Sequence, residues 1–259
     1  MKALLKSSTR VSGNHSELSR GKLHNLILLS LPAREFDVVR KSLEFIELPT
    51  PFVLHEAGEP IKFVYFIESG LASFLTMMVD GKSVEVGLAG KEGFIGLPLV
   101  VGLSTSATRV IMQVSGSAYR TSSKDFAKVL SACPSLEEKL SRYSLDLGMQ
   151  AIHVAACNRL HEVEERLARW LLMSQDRLGG DLVPLTQEFL AHMLGTRRAS
   201  VTVAAGILQK AGLITYNRGH VRIESRERLE DAACECYAAM KKQSSMWDQE
   251  ANRLDTLPR

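Results

Sequence analysis

Between residues 182 and 222 the chain carries five basic side chains, Arg197, Arg198, Lys210, Arg218 and Arg222, against one acid, Glu188. Cationic groups at that density neutralise phosphates, and an arginine fork can also pair with the O6 and N7 edge of guanine. Short hydrogen-bonding side chains stand among them: Thr186, Gln187, Thr196, Ser200, Thr202 and His220. Their reach suits phosphate oxygens and base edges. The implied chemistry is non-covalent recognition of a polyanion. Nothing in the chain has the spacing of a nucleophile with its base or of a phosphate loop, and His161-Glu162-Val163-Glu164-Glu165 lacks the second histidine of a zinc protease. No enzyme is expected.

The elements that must position these groups follow from local signals. Thr186 suits an N-cap, and Phe189, Leu190 and Leu194 fall on one helical face before Gly195. Thr196 is expected to cap a second helix that buries Val201, Ala205 and Leu208 and stops at Gly212. Two helices joined by a short glycine turn make a helix-turn-helix. Extended runs at 213–216 and 220–223, around Asn217-Arg218-Gly219, predict a β-hairpin wing. Arg198 then stands where a recognition helix enters the major groove of double-stranded DNA and is the candidate base reader. Thr186, Gln187, Arg197, Arg218 and His220 are assigned to the backbone, with Thr196, Ser200 and Thr202 completing the contact set.

Upstream the grammar differs. Residues 1–20 are rich in Ser, Lys and Arg and are expected to be a mobile tail. Two short helices around Pro32 lead into short runs at 63–67, 71–75, 83–86 and 109–114, separated by glycines and by Asp80-Gly81. Many short strands at this spacing predict an antiparallel, jelly-roll-like β-roll. A long helix follows Cys133-Pro134. Its Leu136, Leu140, Tyr143, Leu147, Gln150, Val154 and Cys157 alternate by four and three, which predicts a coiled-coil dimer seam. The expected class is α+β: a tail at 1–20, a β-roll domain with flanking helices at 21–132, a dimerisation helix at 133–158, a winged helix-turn-helix at 159–240 and a C-terminal tail at 241–259.

Composition is that of an ordinary globular protein, with 45% hydrophobic residues and a net charge of +3. No apolar run is long enough to span a bilayer, and the start lacks the apolar core of a signal peptide. Four cysteines, Cys133, Cys157, Cys234 and Cys236, are too few and too late to frame a secreted fold, so a reducing cytoplasm is expected. Cys234-Glu235-Cys236 reads as two residues on different faces of a helix with no second pair nearby. Cys157 on the seam is a minor candidate for an intersubunit disulfide. A cupin-like metal site would need several histidines in the roll, which has only His55, expected at the surface or capped. No metal site and no cofactor are predicted.

A glycine-punctuated roll, a long dimer helix and a C-terminal winged helix-turn-helix together resemble the Crp/Fnr family of bacterial transcription regulators. The resemblance runs from about residue 23 to 233 and rests on Gly93-Phe94-Ile95-Gly96, on 163–172 and on 185–212. It implies a homodimer whose roll senses a signal and whose recognition helices read a palindromic promoter site, with RNA polymerase as a further partner. Members that bind cyclic nucleotides carry a Gly-Glu after the Phe-Ile-Gly-like turn and an Arg-Ser or Arg-Ala pair beyond it. Here Gly96 is followed by Leu97-Pro98, the pair reads Thr105-Ser106, and Arg109 comes three residues later. Control by cyclic AMP is therefore not expected. A pocket of unknown effector, lined by hydroxyls, is placed at Gly96, Leu97, Ser104, Thr105, Ser106 and Arg109. No cysteine precedes Cys133, so the iron–sulfur set of oxygen-sensing members has no counterpart. Arg198 matches a base-reading arginine of the family, whereas Ala199 and Val203 stand where Glu and Arg are frequent. The competing reading is a sensory roll that acts through protein contacts.

Overall fold

The computed structural model describes residues 11–12, 18, 20–217 and 219–255. Val11–Ser12 forms strand β1, antiparallel to residues 45–46, inside the segment expected to be a tail. Pro32 divides two short helices as expected, α1 (Leu26–Leu29) and α2 (Ala33–Val39). The roll comprises β2 (Glu44–Leu48), β3 (Phe52–His55), β4 (Phe63–Met77), β5 (Ser83–Ala89), β6 (Phe94–Ile95) and β7 (Arg109–Ser122). Its strand order is β1-β2-β7-β4-β5, with β3 also on β7 and β6 on β4. Then come α3 (Ser123–Ala132), α4 (Pro134–Leu160), α5 (Val163–Leu178), β8 (Leu182–Pro184), α6 (Gln187–Met193), α7 (Arg198–Lys210), β9 (Ile214–Asn217), β10 (His220–Ile223), α8 (Arg226–Ala232) and α9 (Cys236–Asp255). The class is α+β. Among the described residues no helix is long and apolar enough to cross a membrane.

Several boundaries follow from single residues. The Ser122 hydroxyl accepts from the Asp125 N–H and starts α3. Glu162 and Glu165 form a reciprocal capping box at the head of α5, and Gly179, at φ +73°, ends it. The runs 63–67 and 71–75, read as separate strands, are one continuous strand. Gly70 does not end β4 but lets it pass β7 at close range. A Cβ on Gly70 would lie 2.6 Å from the Val114 carbonyl oxygen, and one on Gly116 only 2.0 Å from the Ser69 carbonyl oxygen.

The chain divides into two compact units: residues up to Phe74 with Ala89–Tyr143, and Leu75–Leu88 with everything from Ser144 onward. This differs from the division expected at residues 132 and 158. Helix α4 supplies both units, and α9 runs to Asp255 through the stretch expected to be a tail.

The first unit's core stacks Phe66 on Phe94 and Phe94 on Phe126, with ring centroids 4.9 and 5.4 Å apart. Glu68 is buried beside it, a costly place for a carboxylate without donors. The backbone N–H groups of His24 and Asn25 supply them at 2.8 and 3.0 Å, and the Asn25 side-chain amide bonds the Ile67 and Gly93 carbonyls at 2.9 Å each.

The expected dimer seam needs correction. Leu136, Leu140 and Tyr143 belong to the first unit's own core. Val154 and Cys157 are buried in the single chain, Leu147 is half-buried, and Gln150 accepts a bond from Arg177. Alternating spacings of three and four mark a helix with an apolar stripe, and that stripe packs on the same chain. A second stripe is open: Leu145 and Ile152 are 57% and 60% exposed, with Gly148 and Ala155 exposed between and beyond them at the same spacing.

The close passage of β4 and β7 makes a direct prediction. Gly116→Ala is expected to cost about 2 kcal/mol or more, because backbone rather than a flexible side chain must give way. Urea denaturation should show it against Gly180→Ala, a position with open space around its Cβ. Equal midpoints for the two variants would contradict this account.

Candidate nucleic-acid interface

In the second unit α6 and α7 form the expected helix pair. The Thr186 hydroxyl accepts from the Phe189 N–H at 3.2 Å. Leu190 and Leu194 are buried, while Phe189 is half-buried. Gly195 takes φ +58°, a left-handed conformation that a glycine adopts without strain. Thr196 is not the cap of α7. Its N–H closes the turn onto the Ala191 carbonyl, and Arg197 holds the N-cap position without a side-chain bond. Helix α7 buries Val201, Ala204, Ala205 and Leu208. Arg197, Arg198, Ala199, Thr202, Val203 and Gly206 are exposed, and Ser200 is half-buried.

The open face of α7 combines two positive sources. Arg197 and Arg198 stand at its N-terminus with no acid in the first turn, where unpaired N–H groups and the helix dipole already favour anions. Thr202 lies one turn on, and its hydroxyl donates to the Arg198 carbonyl at 3.0 Å. That proton is committed to the helix.

The wing is the β9–β10 hairpin, with His220 opposite Asn217. Strand β8 adds to the other edge of β10. Sequence reading missed it, because three residues ending in proline give no periodicity. The wing is pinned to the helices. The Leu185 N–H bonds the Gly219 carbonyl at 2.6 Å, the Tyr216 N–H donates to Gln209 Oε1 at 3.0 Å, and the Tyr216 hydroxyl donates to the Leu185 carbonyl at 3.3 Å. His220, Arg222 and Lys210 are exposed, and Gln187 is the first residue of α6. Arg218 lies outside the described residues.

Helix α5 forms the platform. The buried Arg166 guanidinium donates to the carbonyl of Leu194, where α6 ends. Trp170, 1% exposed, donates its indole N–H to Glu85 Oε1 at 2.7 Å. Glu85 belongs to the β4–β5 hairpin, which clusters with this unit. Val84 beside it lies 3.1 Å from where a Cβ on Gly195 would stand. Sequence reading did not find these contacts.

In the first unit, Gly96 takes φ +120° before a 3-10 turn at Leu97–Val101. The Ser104 and Ser106 carbonyls accept from the Ile61 and Gly58 N–H groups at 2.8 and 2.7 Å, and Thr105 forms a bridge with Pro60. The Ser106 and Thr108 hydroxyls bond each other at 3.0 Å. Arg109 is ion-paired with Glu56 at 3.1 Å. Of the side chains assigned to an effector, the Ser106 hydroxyl and the Arg109 guanidinium are thus engaged within the chain. His55 is buried rather than at the surface, and burial pushes its imidazole below the ordinary value.

A cyclic nucleotide-binding domain family matches residues 46–133, and a Crp-like helix-turn-helix domain family matches residues 165–232. The chain belongs to the Crp/Fnr family. FixK2 from Bradyrhizobium japonicum has the same fold, with a TM-score of 0.64 at 16% identity, covering 74% of this chain and 98% of that one. A putative transcriptional regulator of the crp/fnr family from Eubacterium rectale gives 0.62 at 13%, covering 81% and 98%. The c-di-GMP responsive global regulator CLP of Xanthomonas campestris gives 0.61 at 16%, covering 75% and 100%. None of the curated proteins compared matches. The protein is a transcription regulator of the Crp/Fnr type with a helix-turn-helix DNA-binding domain.

In this Crp/Fnr protein the late cysteines are not isolated. Cys234 and Cys236 fall in the turn that opens α9, so helical spacing does not separate them. Cys157, from the last turn of α4, and His161, just beyond that helix, meet them there. The sulfurs of Cys157 and Cys234 are 3.4 Å apart, hydrogen-bonded rather than bridged. That bond holds the Cys157 thiol down, to about 5, with Arg169 adding to the pull, and it pushes the Cys234 thiol up.

Proposed function

We propose that this regulator binds an inverted-repeat site on double-stranded DNA as a homodimer and that cyclic AMP does not control it. The observation that carries the reading is the open, acid-free N-terminal face of α7, with Arg197 and Arg198 exposed on a helix whose other face is buried. Arg198 is assigned to bidentate contact with a guanine, and Ser200 and Thr202 to a base edge or phosphate. Thr186, Gln187, Thr196, Arg197, Arg218 and His220 hold the sugar–phosphate backbone and fix register. The protein then acts in the cytoplasm, where its promoter lies, with RNA polymerase as the partner that reads out binding.

The dimer seam is assigned to the second stripe of α4: Leu145, Gly148, Ile152 and Ala155. Leu and Ile that exposed on a long helix are apolar surface in need of a cover, and an identical stripe on a second copy is self-complementary across a two-fold axis. Against cyclic AMP stand Leu97-Pro98 and Thr105-Ser106 where the charged anchors would be, and the Arg109–Glu56 ion pair.

Three outcomes are expected. Ile152→Asp should turn a dimer into a folded monomer in light scattering at micromolar concentration, whereas Leu140→Asp should unfold the chain by burying an unpaired charge. A wild type that is itself monomeric would refute the seam. Calorimetry with cyclic AMP should show no binding, and a micromolar Kd would overturn that part. In gel shifts with DNA from upstream of its own gene, Arg198→Ala should relax preference at one base position per half-site, a loss of about 1–3 kcal/mol of discrimination. Arg218→Ala should weaken binding to all sequences alike and lower the salt slope by about 1. Absence of any shift would favour action through protein contacts.

A further inference from the structure

The second unit brings together Cys157, His161, Cys234 and Cys236. Their four candidate donor atoms, three sulfurs and one imidazole nitrogen, all lie within 4.8 Å of one another. The three cysteines are buried, and together with Met240 they make a small core of their own. A tetrahedral zinc ion with Zn–S bonds of about 2.3 Å requires donors about 3.8 Å apart. The Cys157 and Cys234 sulfurs are 3.4 Å apart, and Cys236 Sγ lies 3.7 Å from His161 Nδ1. The spacing thus fits one ion, and the sulfurs stand too close together to enclose an iron–sulfur cluster.

Two further observations point to a metal. His161 turns Nδ1 toward the sulfurs, and its Nε2 is 3.0 Å from a Glu235 carboxylate oxygen. A carboxylate on the outer nitrogen fixes ring orientation and tautomer, the arrangement that supports a metal-bound histidine. Three thiolates and a neutral imidazole leave a zinc complex with one net negative charge. Arg166 and Arg169, both buried on α5, lie within electrostatic reach of these sulfurs and would compensate it.

We propose that Cys157, His161, Cys234 and Cys236 bind a single structural zinc ion. All four positions are taken by protein, so the site is closed and leaves none for water or substrate. The ion ties the end of α4 to the junction of α8 and α9, two segments more than seventy residues apart. Binding displaces the thiol protons to solvent, so no oxidant or reductant is consumed.

Metal analysis of the full chain, purified under reducing conditions without chelator, should find one zinc per chain. In Cys234→Ser and Cys236→Ser the content should fall at least tenfold. Because those variants can lose structure, wild-type protein stripped of metal and titrated with cobalt(II) supplies a second readout. It should develop the visible bands of a tetrahedral ion with a thiolate charge-transfer band, saturating at one equivalent. Glu235→Gln, a change at an exposed carboxylate, should weaken zinc about 10–100-fold in competition with a chelator. Metal-free reduced protein that gives no tetrahedral cobalt spectrum would overturn the proposal. So would a Cys157–Cys234 disulfide in the chain as purified under reducing conditions, or zinc retained in full by both serine variants.

Discussion

Helix α4 has to be apolar on two sides. Twenty-seven residues long, it places Leu136, Leu140 and Tyr143 in the core of the first unit and Cys157 in the small sulfur core of the second. Those positions fix its rotation about its own axis. The face that remains carries Leu145, Gly148, Ile152 and Ala155, and burial on the inner side leaves them exposed rather than any choice of their own. A stripe set by intrachain packing is a rigid template for a partner, since it cannot turn away to hide its apolar groups. In the proposed homodimer the rest of the molecule depends on this constraint, because the cover of the open stripe would set where two copies of α7 stand.

The recognition helix is held in a comparable way, by buried donors that reach acceptors on neighbouring elements. Trp170 and Arg166 sit inside α5 with donors that must find acceptors, and they find Glu85 and the carbonyl of Leu194. Unmet, each would cost the desolvation of a buried polar group. Satisfied, they hold the end of α6 and the β4–β5 hairpin against a single platform. The wing is similarly tied through Leu185, Gln209 and Tyr216. The exposed arginines therefore stand on a frame with few alternative arrangements, and this preorganisation lowers the ordering cost of binding.

What was legible in the sequence was mostly local. Thr186, Gly195 and the proline at 32 each act within a few residues, and the structure places them as their chemistry dictates. The inner face of α7 followed from helical spacing alone. The misreadings have a common cause, which is that their explanation lies far away in the chain. Heptad spacing in α4 gives the stripe but not its partner. Gly70 looks like a stop until Gly116 is set against it, forty-six residues on. Cys234 and Cys236 look isolated because Cys157 and His161 reach them from across most of the second unit. Thr196 lost the cap of α7 to Arg197 because its own N–H is drawn back to Ala191, a closure that sequence does not show.

In the proposed homodimer a self-complementary helix stripe sets a fixed separation between two basic recognition helices. Hydroxyl-radical footprinting on DNA selected from a random pool by the wild-type protein tests it most directly. The expected result is two protected patches related by an inverted repeat, with half-site centres about 34 Å apart, one turn of the duplex. Protection of a single half-site, or of a direct repeat, would contradict it.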